Sequence, residues 1–591
     1  MSFFDDASLA FLPSGAAGKD GKAYSIKPTD GTGDFTFSRG SNLAATRVGA
    51  DGLIEKGREN LLLQSNNFDT TTWVKSGGIT LTSGQSGYDG SSDAWLVERS
   101  AAYNNIYQSN SSFFTPVSTI SIYAKAGTYN FLRLAVAGVL EQVYFNLTDG
   151  SLGVNSDLIA SSAQSVGNGW WRLSATFQDS SASGIYIQPV ETDGGVGNAG
   201  TGSIYIQDAQ QEIGLAATDV ISTGATTGKA GLLEDEPRFD YSGGATCPSL
   251  LLEPSRTNII PYSEYIEEVD LLGDAQILTT TDATPEGTNN ARVLAYNGGS
   301  NQHYMSFAPS VTNGETYTFS VFLKKKELRY AALVFLNDYA GRFFDLETGT
   351  ILGTTGGTLV DSKIEDFGNG WYRCSITDDA TSTSKFSGIY LSPDGTSIGP
   401  IVPTSDDGVY VYGFQVEQGS YPTSYIPNNS GGSVTRGVDE LDGAGDTNTF
   451  NDSEGVLFLD VENVNANSAI SISDDSTSDF IQIYLGYQSS NPIRYRANSE
   501  GIVQFDTNFP YSLDVSQPFK VAYRYSANNF SIWINGVKAD EVLSSSTPVG
   551  LSTIKFYNIF GALTKFDGKL NQALYFPEAL SDADCITLTT L

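Results

Sequence analysis

The hydrophobic pattern along this chain has period two. In Thr318–Leu323, Phe319, Val321 and Leu323 fall on one face while Thr318 and Ser320 fall on the other, and Ile120, Ile122 and Ala124 repeat the arrangement. Runs of five to eight such residues are bounded by Gly, Asn, Asp and Ser, as at Asp149-Gly150, Gly368-Asn369-Gly370 and Asp394-Gly395. These are hairpin signals. No repeated stretch carries a sustained apolar stripe of helical period. Many antiparallel strands without helices predict stacked sandwiches or jelly rolls, an all-β fold.

The chain also repeats itself. Glu55–Ser65 lies over Glu253–Ser263, aligning Arg58 with Arg256 and Asn60 with Asn258. Thr119–Lys125 then lies over Thr318–Lys324, Gly167–Arg172 over Gly368–Arg373, Gly184–Ile187 over Gly388–Leu391, and Ile204–Gly214 over Val409–Gly419. The order is kept while the offset drifts from 198 to 205 residues, as loop insertions between fixed strands would produce. The unit is a whole duplicated domain rather than a solenoid repeat of about 20–50 residues.

The resulting map places a short segment at 1–58, a first jelly roll at 59–216, a connector at 217–250 and a second jelly roll at 251–430. A Gly- and Asp-rich linker follows at 431–453, then a different β domain at 454–591. In that last domain Phe530, Ile532 and Ile534 alternate with Ser531, Trp533 and Asn535. Asn535-Gly536 signals a type I′ turn, and Ser581 with Asp584 reads as a capping box before a short helix.

Composition narrows the function. With 67 acidic against 33 basic residues the formal net charge is −34, which argues against nucleic-acid binding. The one basic run, Lys324-Lys325-Lys326, reads as a solvated strand end. Cys247, Cys374 and Cys585 are too far apart in sequence for a disulfide framework or zinc spacing, which fits synthesis in a reducing cytoplasm. The start carries Asp5 and Asp6 where an export signal needs basic residues, and no membrane-spanning run is present.

Catalytic chemistry is thinly provided for. His303 is the only histidine, and it reads as structural, on a loop or strand edge. Glu454, Asp460 and Glu462 lack the Glu-x-Asp-x-x-Glu spacing of a glycosidase pair and read as solvated strand residues. Sugar binding would use exposed aromatics with amide or carboxylate partners. Trp170 and Trp371 occupy matching positions and read as buried anchors. Trp533 lines a second face or is exposed, and Trp73 and Trp95, unmatched in the other copy, are freer to lie at the surface. Glu212 and Glu417, beside Gln210 and Gln415, could bind Ca²⁺, though exposure or a buried bond to backbone is the plainer reading. No catalytic residue, metal ligand or cofactor is therefore assigned, and the sugar-contacting residues stay unknown.

Several motifs resemble a known group. Residues 247–263 (CPSLLLEPSRTNIIPYS), Phe35–Arg39 with Ala45–Val48 and Asp51–Glu55, and Gln415–Pro427 resemble stretches recurring in bacteriophage structural and tail-associated proteins. In that group the Asn-Gly-Trp-Tyr-Arg block belongs to jelly rolls similar to carbohydrate-binding modules. The Trp533–Gly536 hairpin and the ending from Gly568 to Ser581 resemble concanavalin A-like (laminin G-like) sandwiches. The resemblance implies a virion exterior protein, a tail or head fibre or decoration, that adheres to host-surface glycan without enzymatic activity. It also implies attachment to other virion proteins through residues 1–58 and a homo-oligomer, commonly a trimer, with no membrane insertion. The alternatives are a tailspike-type polysaccharide depolymerase and a bacterial surface polysaccharide-binding protein.

Overall fold

The computed structural model describes residues 3–15, 18–19, 21–40, 43–109, 117–138, 141–156, 158–178, 183–268, 271–299, 301–335, 340–383, 387–398, 406–465, 467–490, 492–509, 512–543, 545–561 and 564–591. The fold is all-β, 49% strand and 4% helix. No helix among the described residues is long and apolar enough to cross a membrane. The chain forms two compact units, one from residues 1–55, 232–256 and 435–591, the other from 56–231 and 257–434.

The second unit holds the duplication. Its first sandwich opposes two six-stranded sheets. One runs Leu158–Gly167, Trp170–Phe177, Ser118–Ala126, Gly202–Ile213, Ala94–Arg99, Ile79–Gln85; the other runs Leu152–Ser156, Gln142–Asn146, Phe131–Val136, Gly184–Val190, Ile106–Ser109, Val74–Lys75. The later sandwich has the same order, Asp361–Asp366, Trp371–Asp379, Thr316–Lys325, Gly408–Gln418, Arg292–Tyr296, Ala275–Thr279 against Thr350–Gly356, Gly341–Asp345, Tyr330–Val334, Ser387–Ser392, His303–Phe307, Leu271–Gly273. Ile120, Ile122 and Ala124 enter one core and Phe319, Val321 and Leu323 the other, as their alternation requires.

Polar staples repeat along with the strands. Asn60 donates to the Ala209 and Ile221 carbonyls at 3.3 and 2.8 Å, and Asn258 to those of Phe414 and Ile426 at 3.0 and 2.9 Å. The Thr119–Thr176 and Thr318–Thr377 hydroxyl pairs are both 2.8 Å apart. The Gly-Asn-Gly turns keep all three residues left-handed, with φ of 93°, 52° and 79° at 167–169 and 75°, 52° and 77° at 368–370. One sequence match is displaced. Leu134 pairs with Ile187 and Leu333 with Ile389, so the offset there is 202 rather than 204 residues.

The first unit departs from the domain map. Leu9–Phe11 pairs antiparallel with Gly568–Phe576, placing Leu9 opposite Tyr575. Arg238–Asp240 and Ser249–Leu252 extend the same eight-stranded sheet, which continues through Glu454–Glu462, Phe519–Ser526, Asn529–Ile534 and Val537–Val542. Phe11, Phe35, Phe37, Leu250, Leu252 and Leu441 share one core with Leu457, Tyr523 and Ile532. Residues 1–55 are therefore not a free-standing segment, nor is 454–591 a self-contained domain. The connector divides between units near 231, and the linker carries strands Val434–Arg436 and Glu440–Asp442. The physical reason is that three- and four-residue strands cannot bury their own apolar face and must borrow a sheet.

A buried ion network ties these segments within the first unit. Asp439 pairs with Arg238 and, at 3.3 Å, with Arg39, while Glu253 pairs with Arg238 at 2.6 Å and Arg436 at 2.8 Å. On the sheet's outer face Trp533 is fully buried with Cys585 and Leu588 of the helix Asp582–Thr589. That helix is capped by Ser581, which accepts from the Asp584 amide at 3.2 Å. Asn535 and Gly536, at φ 49° and 80°, form the two-residue turn with the positive dihedrals of type I′.

Candidate functional site

Most residues singled out in sequence serve the scaffold. Trp170 and Trp371 are buried, and Trp371 donates to the Ala283 carbonyl at 3.1 Å. Trp73 is also buried, contrary to expectation, because it packs on Phe68 at 5.1 Å and donates to the Gln64 carbonyl at 3.0 Å. Trp95 is half-buried, donating to the Asn66 carbonyl. Glu212 accepts from the Thr218 amide and hydroxyl and from Gln210; Glu417 accepts in the same way from Thr423 and Gln415. Both carboxylates are buried and fasten the turn that follows their strand.

His303 lies buried within a strand, its ring edge-on to Tyr296 at 4.2 Å and Nε2 3.2 Å from the Gly298 carbonyl. Asp460 is half-buried, accepting from Asn571 at 3.1 Å, and burial raises its pKa. Glu462 faces Lys569 at 3.6 Å. In the lysine run, Lys324 sits over the Trp371 and Tyr410 rings, while Lys325 and Lys326 pair with Glu347 and Glu327. The three cysteines are free thiols. Among the described residues no three His, Cys, Asp or Glu side chains group as a metal site would require.

A different constellation lies on the first jelly roll. In strand Phe131–Val136, Leu132, Leu134 and Val136 fill the core, so Arg133 and Ala135 point to the opposite face. Directly paired strand positions share a face, so Arg133 is flanked by Tyr144 and Gln188, and Ala135 by Gln142 and Tyr186, with Tyr107 beyond. Arg133 Nε donates to Gln142 Oε1 at 2.7 Å and Nη1 to Gln188 Oε1 at 3.0 Å. Its guanidinium lies 6.0 Å from the centre of the Tyr144 ring. Burial lowers its pKa from the ordinary value, with Tyr144 and Tyr186 opposing. Gln188 is buried, and its Nε2 has no partner among the described residues. The half-buried Tyr107 and Tyr186 rings stand 5.4 Å apart at 48°.

The second jelly roll lacks this chemistry. By strand register Ala332 stands for Arg133, Phe343 for Tyr144, Tyr390 for Gln188 and Gly341 for Gln142. Ala332, Val334, Phe343 and Tyr390 form an apolar cluster there instead. Residues that hold the sandwich are thus present twice, whereas the Arg133–Gln142–Gln188 set occurs once; a tyrosine pair recurs in the second copy as Tyr304 and Tyr390, stacked at 4.6 Å. Arg133, Gln142, Tyr144 and Gln188 lie outside every block that the two copies share. The signal that could have found them is the inverse: polar residues on one copy's strands opposite apolar ones on the other's.

No family model matches the chain, and no curated protein does. Solved structures similar to parts of it include the CBM40 of the Ruminococcus gnavus IT-sialidase bound to α2,3-sialyllactose (14% identity, 25% of this chain and 93% of that chain, TM-score 0.22). The tandem CBM22 domains of Paenibacillus barcinonensis Xyn10C are similar at 13% identity, over 65% of this chain and 100% of that one, with TM-score 0.20. Mouse laminin α1 domains LG4-5 are similar at 12% identity, over 53% and 92%, with TM-score 0.17.

Proposed function

We propose that this chain is a non-enzymatic glycan-binding protein displayed on the exterior of a bacteriophage particle, with its binding face on the first jelly roll. The observation that carries the glycan reading is the single-copy Arg133–Gln142–Gln188 cluster beside the Tyr107–Tyr186 pair, set on a scaffold whose structural residues are duplicated. Aromatic faces stack on the apolar side of a sugar ring, and fixed amides and a guanidinium bond its hydroxyls and acidic groups. Weak single sites gain strength when several copies act together, which suits a repeated particle protein. The virion assignment is supported by the resemblance of residues 35–55, 247–263 and 415–427 to phage structural proteins.

Synthesis in the host cytoplasm, homo-oligomerisation and contact with other virion proteins belong to the same proposal. Attachment then falls to the composite first unit, because residues 1–55 fold together with 435–591. The test is to probe a glycan array with the full chain and with the Tyr107→Ala/Tyr186→Ala variant. Binding that the variant loses supports the reading, and binding that it keeps removes this face from it. Mass spectrometry of purified particles tests the location; absence of the chain would reject it.

A further inference from the structure

The polar groups of the Arg133 face are unbalanced. Both available amide oxygens, Gln142 Oε1 and Gln188 Oε1, already accept from Arg133. Two donors have no partner among the described residues: Gln188 Nε2, which is itself buried, and Arg133 Nη2 on the half-buried guanidinium. No described Asp or Glu forms an ion pair with Arg133, although acids outnumber bases twofold in this chain. Six other arginines of the chain are bound through their terminal nitrogens to carboxylates or backbone rather than to side-chain amides. Arg39, Arg238 and Arg436 pair with carboxylates, and Arg99, Arg172 and Arg373 donate to backbone carbonyls.

We propose that this face selects glycans bearing a carboxylate, such as uronic or sialic acids. The inference rests on the glycan reading above and names its ligand class. A cation drawn out of water without a counter-charge is costly, and a ligand carboxylate supplies the missing charge. Its two coplanar oxygens also match the guanidinium fork, whereas a sugar hydroxyl offers one acceptor and no charge. Tyr107 and Tyr186 would pack the sugar ring next to that contact.

The experiment uses the full chain against immobilised uronic-acid and sialic-acid oligosaccharides, each as free acid and as neutral methyl ester, beside neutral oligosaccharides. At least one free acid should bind about 10- to 100-fold more tightly than its ester, the range expected of charge-assisted hydrogen bonds. Arg133→Gln should erase that preference, and Arg133→Lys should keep part of it. If acids and esters bind alike, or neutral sugars bind best, while Tyr107→Ala/Tyr186→Ala still abolishes binding, the charge selection is wrong and the face stands. Binding to no glycan, or binding indifferent to every variant, overturns both.

Discussion

Replacing Asp439 with Asn removes one charge from the middle of the network that joins the three chain segments of the first unit. Asp439 takes bonds from Arg39 and Arg238 and from the Glu253 amide at 2.9 Å, and its side chain is fully buried. The variant keeps the shape but takes away the carboxylate that Arg39 and Arg238 share. Breaking a buried pair by removing one partner costs about 3–5 kcal/mol, because the remaining charge stays desolvated. At roughly 2–4 °C per kcal/mol for a unit of this size, the first unit's melting temperature should fall by roughly 6–20 °C. Calorimetry of the full chain, with fluorescence of Trp533 as sole tryptophan of the first unit, reads that transition directly. The second unit's transition should stay in place, since every partner of Asp439 lies in the first. A shift below about 1 kcal/mol, the size of an exposed pair, would mean that the Asp439 network does not hold the unit together.

In the second unit, burial would raise the Glu286 pKa, but Lys56 and Arg58 outweigh it and hold it below its ordinary 4.5. A depressed carboxylate pKa stabilises the fold above the unfolded value and loses that contribution as pH falls. Acid titration of the second unit's unfolding should therefore show stability draining away below about pH 4.5, and Glu286→Gln should flatten that slope; an unchanged slope would count against the pairing. Glu212→Gln and Glu417→Gln should each destabilise by about 1.5–3 kcal/mol, and by similar amounts, since their bonds are the same; denaturant unfolding showing one of them silent would break the equivalence. Trp73→Ala should cost about 3–5 kcal/mol in the same assay, and a neutral result would return Trp73 to the surface.

The sandwiches were legible because alternation such as Phe319-Ser320-Val321 and turns such as Asn535-Gly536 are local signals of sheet and hairpin. The duplication was legible because its strands and staples, from Asn60 and Asn258 to Glu212 and Glu417, must recur for the fold to close twice. The composite first unit was not. Leu9–Phe11 is a three-residue strand whose partner lies more than five hundred residues away, and so short a run has no periodicity to read. Arg39, Arg238, Glu253, Arg436 and Asp439 are scattered over four hundred residues, with no spacing that singles them out as one network. The Gly-rich stretch after 430 resembled a linker because Gly and Asp serve tight connections between short strands as well as open chain. The binding face stayed hidden because its residues come from four strands and its polar members, Arg133, Gln142 and Gln188, match nothing in the other copy.

The most direct measurement is a crystal structure of the full chain with an oligosaccharide that it binds. The sugar ring should lie against Tyr107 and Tyr186, with an acidic group or hydroxyl accepting from Arg133. A sugar held by the second jelly roll, or anywhere in the first unit, with the Arg133 face empty would contradict that placement.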